Sequence, residues 1–444
     1  MKVGLIAMSG IRAQNPELNA LGLTLPGVVE RSRAVASLPS LGLLTIAGLT
    51  PDRFDIRYLD VPVLPEQDDL PGEFDAVAIS SFSAQIKEAY ALADRYRSRG
   101  TKVILGGLHV TALPGEALCH ADATVLGEGE IGWPAVLRDL ESGQLRRVYD
   151  GRHISFDLSD SPVPRYELLD AHKYNRITVQ TQRGCPWACD FCAASPLLSA
   201  SYKLKPVDRV IAEIRRIREL WPNPFIEFAD DNSFVNKSHS KRLLRALAAE
   251  QIRWFTETDL SVADDPELLA LMRDSGCVQV LIGLEAASPA ALDGIEQRAN
   301  WKARQLTRYL SAVDRIQNCG IAVNGCFILG LDGSGPECFD DVLRFVRDSG
   351  LYEVQITIQT AFPGTPLYAR LKREGRLLRD NAWELCTLFD VNFRPARMSV
   401  AELESGFRML AATLYSDECI RERRLRFLSR LRANRERAGG SERQ

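Results

Sequence analysis

Short apolar runs alternate with stretches of helical period along the first third of the chain. Lys2–Ala7, Asp55–Asp60, Asp75–Ser80, Lys102–Gly106 and Ala123–Leu126 are brief, as expected of strands buried on both faces of a parallel sheet. The apolar segment Leu41–Leu49 precedes the second of them. Between two of the runs, Ile86, Ala89, Ala93 and Tyr96 make one stripe of a helix, and Gly100 follows as a C-terminal cap. The α/β alternation predicts a doubly wound, Rossmann-like open sheet over 1–150, with ligands beyond the carboxyl ends of its strands. Residues 10–37 break the pattern, and a stretch that long reads as a lid or binding segment, or as a disordered insertion.

A connector over 151–172 carries Pro162 and Pro164, and then the alternation restarts. Strands are predicted at Arg176–Gln182, Phe225–Ala229, Trp254–Thr258, Val278–Glu285, Val323–Leu329 and Glu353–Thr360. Helical patterns separate them. In Pro206–Leu220, proline starts the helix and Val207, Val210, Ile211, Ile214 and Ile217 share one side. Others lie near 238–250, 266–275, 301–318 and 336–348. The repeat predicts a (β/α)6 partial barrel over 173–370, with its chemistry at the carboxyl ends of the strands. From 371 to 444 the β signal fades into a small helical extension with an arginine-rich tail.

Composition narrows the class. The 444 residues carry a net charge of −3 and are 45% hydrophobic, which gives no electrostatic case for nucleic acid as partner. No window reaches the roughly 18 uninterrupted apolar residues of a membrane span, and MKVGLIAMSG reads as a first strand, where a signal peptide would need a longer apolar region. A cytoplasmic enzyme is expected. In the tail, arginines alternate with Leu425, Phe427, Leu428 and Leu431, which suits a solvated helix with a packed stripe or a peripheral membrane contact.

Ten cysteines occur, and most are scattered as small packing residues. Cys185, Cys189 and Cys192 instead cluster in QRGCPWACDFCAAS (182–195), just after a predicted strand. In a reducing compartment such a group points to metal or catalysis. Thiolates hold iron–sulfur clusters, usually four to a cluster, so three close cysteines leave one iron open, as a catalytic metal requires. Zinc would want a fourth Cys or His at similar range, and the nearest histidine, His172, is distant in sequence; zinc and core packing remain as the alternatives.

The CxxxCxxC loop, with Phe191 before its last cysteine, resembles the radical S-adenosylmethionine (SAM) superfamily over roughly 170–370. The resemblance implies a [4Fe–4S] cluster on the three cysteines, an open iron chelated by SAM, and reductive cleavage to a 5′-deoxyadenosyl radical. In FADDN (228–232), Asp230 and Asp231 match positions that bind the amino group of SAM; the alternative is that Asp231 or Asn232 caps the following turn or helix. Glu285 in GLEAAS matches a contact to its ribose or methionine part. FILGLDG and AFPGTPLY resemble the signatures lining the adenine pocket, bringing in Ile328 and Pro363. No catalytic acid or base is assigned; Tyr368, Glu257 and Asp259 are candidates from strand-end placement alone.

In the N-terminal half, PSLGLLTIAGL, ISSFS, LGGLHVTALPGEAL and GEGE occur in an order resembling the cobalamin-binding domain that precedes many radical SAM enzymes. Ser80, Ser81, Gly106, Gly107, His109, Gly127, Glu128 and Gly129 are the implied cobalamin contacts. Glycines let a large cofactor approach the backbone and serine hydroxyls can bond its tail. The Asp-x-His-x-x-Gly loop of many cobalamin proteins is missing, so His109 reads as a pocket residue more than a cobalt ligand, and a scaffold that has lost its cofactor stays open. The segment 390–407 resembles the extension found in cobalamin-dependent radical SAM proteins, hopanoid methylases among them.

The resemblance implies a cobalamin-dependent radical SAM methyltransferase acting on an unactivated carbon, or phosphorus, of a small-molecule or lipid substrate. A flavodoxin- or ferredoxin-type donor would supply electrons. The alternatives are a radical SAM cyclase or rearrangement enzyme, with or without cobalamin, and a non-catalytic cobalamin or iron sensor. A methylthiotransferase is disfavoured, since Cys119 alone precedes Cys185.

Overall fold

A computed structural model describes residues 1–10, 13–15, 17–18, 38–65, 69–199 and 201–441. Most of the segment 10–37 lies outside the described residues. Six parallel strands form the first sheet: β1 (Lys2–Met8), β2 (Asp55–Asp60), β3 (Ala76–Ser81), β4 (Lys102–Gly106), β5 (Ala123–Leu126) and β6 (Val148–Asp150). Their order is β2-β1-β3-β4-β5-β6, so the direction of winding reverses between β1 and β3. Alternation explains the double burial. Ile6, Val77, Ile79 and Leu105 pack on the helix Ile86–Ser98, whereas Leu5, Ala78 and Ile104 pack with Ala47 and Trp133 on the other face. The apolar segment ahead of β2 is a helix, Leu41–Gly48. β6 is too short to announce itself in the sequence.

The second six-stranded parallel sheet runs in chain order: β7 (Ile177–Val179), β10 (Phe225–Ser233), β11 (Arg253–Thr258), β12 (Cys277–Glu285), β13 (Ala322–Leu329) and β14 (Glu353–Ile358). Between β7 and β10 lies a small antiparallel hairpin, β8 (Gln182–Arg183) with β9 (Lys203–Leu204). Ile226, Phe228, Trp254, Val280, Ile282 and Phe327 face the outer helices in one core. The opposite, inner positions are largely polar.

Two expectations are corrected. The strand predicted over Arg176–Gln182 stops at Val179, because the amides of Thr181 and Gln182 turn to the Asp230 carboxylate (2.8 and 3.1 Å) instead of a neighbouring strand. The helix predicted over 301–318 is broken into Trp301–Gln305, a tight 3-10 turn at 306–308, and Tyr309–Asn318. In the C-terminal part, a capping box of Ser399 and Glu402 starts the helix Val400–Leu414, and the helix Asp417–Ser441 follows.

Candidate active site

The three-cysteine loop leaves β8 through Gly184, whose φ of +91° favours glycine and where a Cβ would stand 2.9 Å from the Ser201 carbonyl oxygen. The Gly184 amide donates to Asp231 Oδ2 at 2.9 Å. Farther along, the Ala188 amide donates to Glu296 Oε1, and the Asp190 amide to the Ile295 carbonyl. Glu296 also accepts from the amides of Arg298, Ala299 and Trp301. Against the upward pull of burial, these amides hold its carboxyl down to about 2. The loop is therefore tied by backbone bonds at both ends.

All three thiols are half-buried. Burial pushes the Cys185 and Cys189 thiols up, so a bound metal is what would hold them as thiolates. Asn232 Nδ2 lies 3.8 Å from Cys185 Sγ and donates to Asp259 Oδ2 at 2.9 Å. Asp259 accepts in addition from Trp187 Nε1 and the Ser261 amide. Hydrogen bonds to sulfur and a partly dry loop fit an iron–sulfur cluster. Among the described residues no three Cys, His, Asp or Glu converge on a single ion, an arrangement that thiolates bound to separate irons do not require.

The candidate SAM residues divide by what their side chains touch. Asp230 is fully buried and accepts from Thr181 N, Thr181 Oγ1, Gln182 N and Ser233 Oγ; burial still pushes its carboxyl up to about 6. That carboxylate is engaged in fixing the turn before the cysteines. Asp231, by contrast, is half-buried and lines an open cavity. Glu285 ends β12 with a φ of +64° and is bound by Lys302 Nζ at 2.9 Å, which also donates to the Gly283 carbonyl oxygen at 2.7 Å. Lys302 is buried, and its charge acts on Cys189. Phe191 packs against the cluster of Ala361, Leu367, Leu371 and Phe393, Pro363 is buried, and Ile328 is half-buried on β13. Tyr368 packs against Trp383.

A cavity of about 490 Å³ lies where the carboxyl ends of β1, β3, β4 and β5 meet the start of the second sheet. Ser80, Ser81, Gly106, Gly107, Gly127 and Gly129 line it, facing Gln180, Arg183, Ala229 and Asp231. A Cβ on Gly107 would meet Ser80 Oγ at 3.1 Å, and one on Gly129 would meet Ile46 at 3.3 Å, so the glycines keep the cradle open. Its serine hydroxyls and bare backbone suit a bulky cofactor with a polar tail.

His109 is a correction. Its ring is buried away from the cavity, with Nδ1 3.0 Å from Ser83 Oγ and Nε2 3.4 Å from Glu116 Oε1, and it meets Tyr90 and Trp383 edge-on. Burial lowers its pKa despite Glu116. Glu128 borders the cavity, but its carboxylate is spoken for: it accepts from Arg183 and Lys203, both at 2.6 Å, and from the Phe156 amide. Arg183 also reaches Glu130 Oε1 at 2.6 Å. This buried clamp, unseen in the sequence, joins the GEGE loop to a residue two positions before Cys185.

Family comparisons agree with this geometry. Residues 179–346 match the radical SAM superfamily, residues 31–137 the B12 binding domain, and residues 365–443 a domain of unknown function. The chain belongs to the radical SAM superfamily and carries a B12-binding domain. A [4Fe–4S] cluster, SAM and cobalamin are the cofactors of these two domains. Among curated relatives, bacteriochlorophyllide d C-12(1)-methyltransferase of Chlorobaculum tepidum is 28% identical over 87% of this chain and 84% of its own. The hopanoid C-2 methylase of Rhodopseudomonas palustris is 30% identical over 78% of this chain and 66% of its own. The radical SAM methyltransferase TsrM from Kitasatospora setae shares the fold, with a TM-score of 0.63 at 14% identity over 84% of this chain and 76% of that one.

Proposed function

We propose that this chain is a cobalamin-dependent radical SAM methyltransferase that methylates an unactivated carbon, or phosphorus, centre. The observation that carries the reading is the glycine-lined cavity opening beside the three-cysteine loop, so that a cobalamin held by the first sheet and a cluster held by the second would face one space. When bound, the cluster and SAM supply a 5′-deoxyadenosyl radical and cobalamin carries the methyl group.

The chain's own residues position and shield these groups. Cys185, Cys189 and Cys192 would hold the cluster. Asp231 would receive the ammonium of SAM and Glu285 its ribose or methionine part, with Phe191, Ile328 and Pro363 around its adenine, while Asp230 fixes the turn beneath. Ser80, Ser81 and the glycines of β4 and the GEGE loop would cradle cobalamin, and the backbone of Glu128 contributes with them. The division into 1–150, 151–172, 173–370 and 371–444 belongs to this proposal. So do a flavodoxin- or ferredoxin-type electron donor, a cytoplasmic setting, and a small-molecule or lipid substrate. Peripheral membrane contact would use Leu425 and Leu428, which are exposed among arginines. No helix among the described residues is long and apolar enough to cross a membrane.

The test is anaerobic reconstitution with iron, sulfide and hydroxocobalamin, then reduction and addition of SAM. Bound-cobalamin absorbance and 5′-deoxyadenosine, the latter abolished by Cys189→Ala, are expected. Deoxyadenosine without bound cobalamin would remove methyl transfer from the proposal, and absence of both would remove the radical chemistry.

A further inference from the structure

The cysteine loop has a second side, turned away from the cofactor cavity. Arg183 and Asp231 line that cavity, whereas Pro186, Trp187 and Ala188 do not. These three, lying between Cys185 and Cys189, are half-buried, and the exposed residues 297–299 run along them as a ledge. The Gln297 amide donates to the Ala188 carbonyl oxygen at 3.0 Å, and Arg298 Nη1 donates to the Pro186 carbonyl oxygen at 2.9 Å. Against the ledge the Trp187 and Trp301 rings stack, with centroids 4.6 Å apart and planes 21° from parallel. Trp187 stands two positions from Cys185 and two from Cys189. Its Nε1 donates to the buried Asp259, which also accepts from Asn232 beside Cys185. Trp301 is half-buried, so the stacked pair leads from the cysteine loop to the surface.

Charge around this pair is one-sided. Arg298 and Arg304 are exposed, and the half-buried Lys237 donates to Ser261 Oγ at 3.2 Å. Among the described residues none of these cations forms an ion pair. Arg304 follows Trp301 by three residues in the helix Trp301–Gln305, which puts both on one side of it. Lys237 reaches the Trp187 side through Ser261, whose amide donates to Asp259. The carboxylates nearby are already engaged. Glu296 is buried under the amides of Ala188, Arg298, Ala299 and Trp301. Asp264 pairs with Arg308 and Arg315, while Asp265 and Glu267 share Lys241. Asp293 is exposed at the rim and accepts from Asn300 Nδ2 at 2.7 Å. Tryptophan beside exposed arginine is the composition of a protein interface. Unopposed cations select an acidic partner and speed its encounter.

We infer that the surface of Trp187, Trp301, Arg298 and Arg304 is where the electron donor docks, an acidic one-electron carrier protein of the flavodoxin or ferredoxin type. The inference rests on the reductive radical chemistry proposed above and adds to it the place where the electron enters. One electron passes from the reduced carrier to the cluster. The carrier is oxidised by one electron, the cluster is reduced by one, and no bond or proton changes hands at the ledge. Cobalamin and SAM would occupy the cavity side of the loop, which leaves the ledge side open to a protein. Transient redox contacts are small, below about 1,200 Å² of buried surface, so a stacked aromatic pair ringed by a few cations is of the right scale.

Two measurements on the reconstituted full chain test this. The first is binding of two fluorescently labelled probes of strongly negative net charge, an oxidised flavodoxin and a [2Fe–2S] ferredoxin, at low and high salt. At least one is expected to bind, and to bind at least about five-fold more weakly at high salt and in Arg304→Glu. Arg138→Glu, the same charge reversal at an exposed position of the helix Gly129–Ser142, should leave binding unchanged. Trp301→Leu alters no charge and is expected to weaken binding as well. The second measurement is 5′-deoxyadenosine formation driven by the reduced carrier, set against formation driven by dithionite, which needs no docking surface. Arg304→Glu should slow the first and spare the second. Binding of neither carrier, or equal losses in Arg304→Glu and Arg138→Glu, would overturn the inference. So would self-association of the chain that Trp301→Leu abolishes in sedimentation, which would give the ledge to a second copy. Absence of 5′-deoxyadenosine even with dithionite marks failure of the radical reading, and the binding comparison then still decides the surface.

Discussion

At the scale of single residues, the cysteine loop was legible because its chemistry is local. Three thiols within eight residues need no tertiary partner to be noticed, and Phe191 lies inside the same segment. The carboxylates behaved otherwise. Asp230 and Asp231 are adjacent in sequence, yet one is enclosed by four donors and the other borders the cavity; which is which depends on strand phase at an irregular strand end. Glu285 needed a buried partner, and Lys302 supplies it from the helix Trp301–Gln305. Removing that lysine leaves a carboxylate buried without its counter-charge, so Lys302→Met is expected to destabilise the fold by roughly 3–5 kcal/mol. Chemical denaturation measures this. Adding Glu285→Gln to Lys302→Met removes the stranded charge and should return most of the loss, whereas a double variant no better than the single would show that the ammonium acts through its bond to Gly283.

At the scale of elements, the parallel strands were readable from brief apolar runs, and their inner faces were readable in principle. EVQITI places Glu353, Gln355 and Thr357 at alternate positions, a period-two signal that marks a sheet with one wet face, whereas in WFTET three polar residues run together and blur it. Overall apolar content masks it. The hairpin of β8 and β9 was hidden for a different reason: it is two residues to a side and is held from outside, by Glu128 and Glu130 across more than fifty positions of chain. Such pairs have no sequence signature. Their strength is nevertheless testable. Arg183→Met strands Glu130 and half-strands Glu128, and is expected to cost about 3 kcal/mol at this junction. Hydrogen exchange should then quicken at 182–185 and 203–205 before it quickens in β10 or β11, and iron retention should fall although all three cysteines remain. Uniformly faster exchange across both sheets would mean that the clamp supports the whole fold and has no special hold on the loop.

At the scale of the whole molecule, the arrangement of two parallel sheets follows from their carboxyl ends. Each sheet leaves its loops and helix N-termini there, so each offers a ligand face, and in this chain the two faces adjoin. The first sheet contributes space through glycine and serine. The second contributes thiolates, carboxylates and a polar interior. The cavity between them was not derivable from either half, because its size depends on how the GEGE loop seats against Arg183. Gly106 tests the role of that space without disturbing the backbone: a Cβ there would meet only Val125, at 3.6 Å for its oxygen and 3.8 Å for its Cβ, ordinary contact distances. Gly106→Leu should therefore fold, place an isobutyl group where the cofactor would lie, and weaken cobalamin retention at least about ten-fold, read from the absorbance of the gel-filtered protein. The three cysteines that would hold the cluster lie between the two strands of the hairpin in the second half, so iron content and reductive formation of 5′-deoxyadenosine should survive while methyl transfer is lost. Retained cobalamin in a folded Gly106→Leu would place the cofactor elsewhere. Loss of cobalamin together with cluster would mean that the two sheets stand as one cooperative unit, with the Arg183 clamp as the natural route between them.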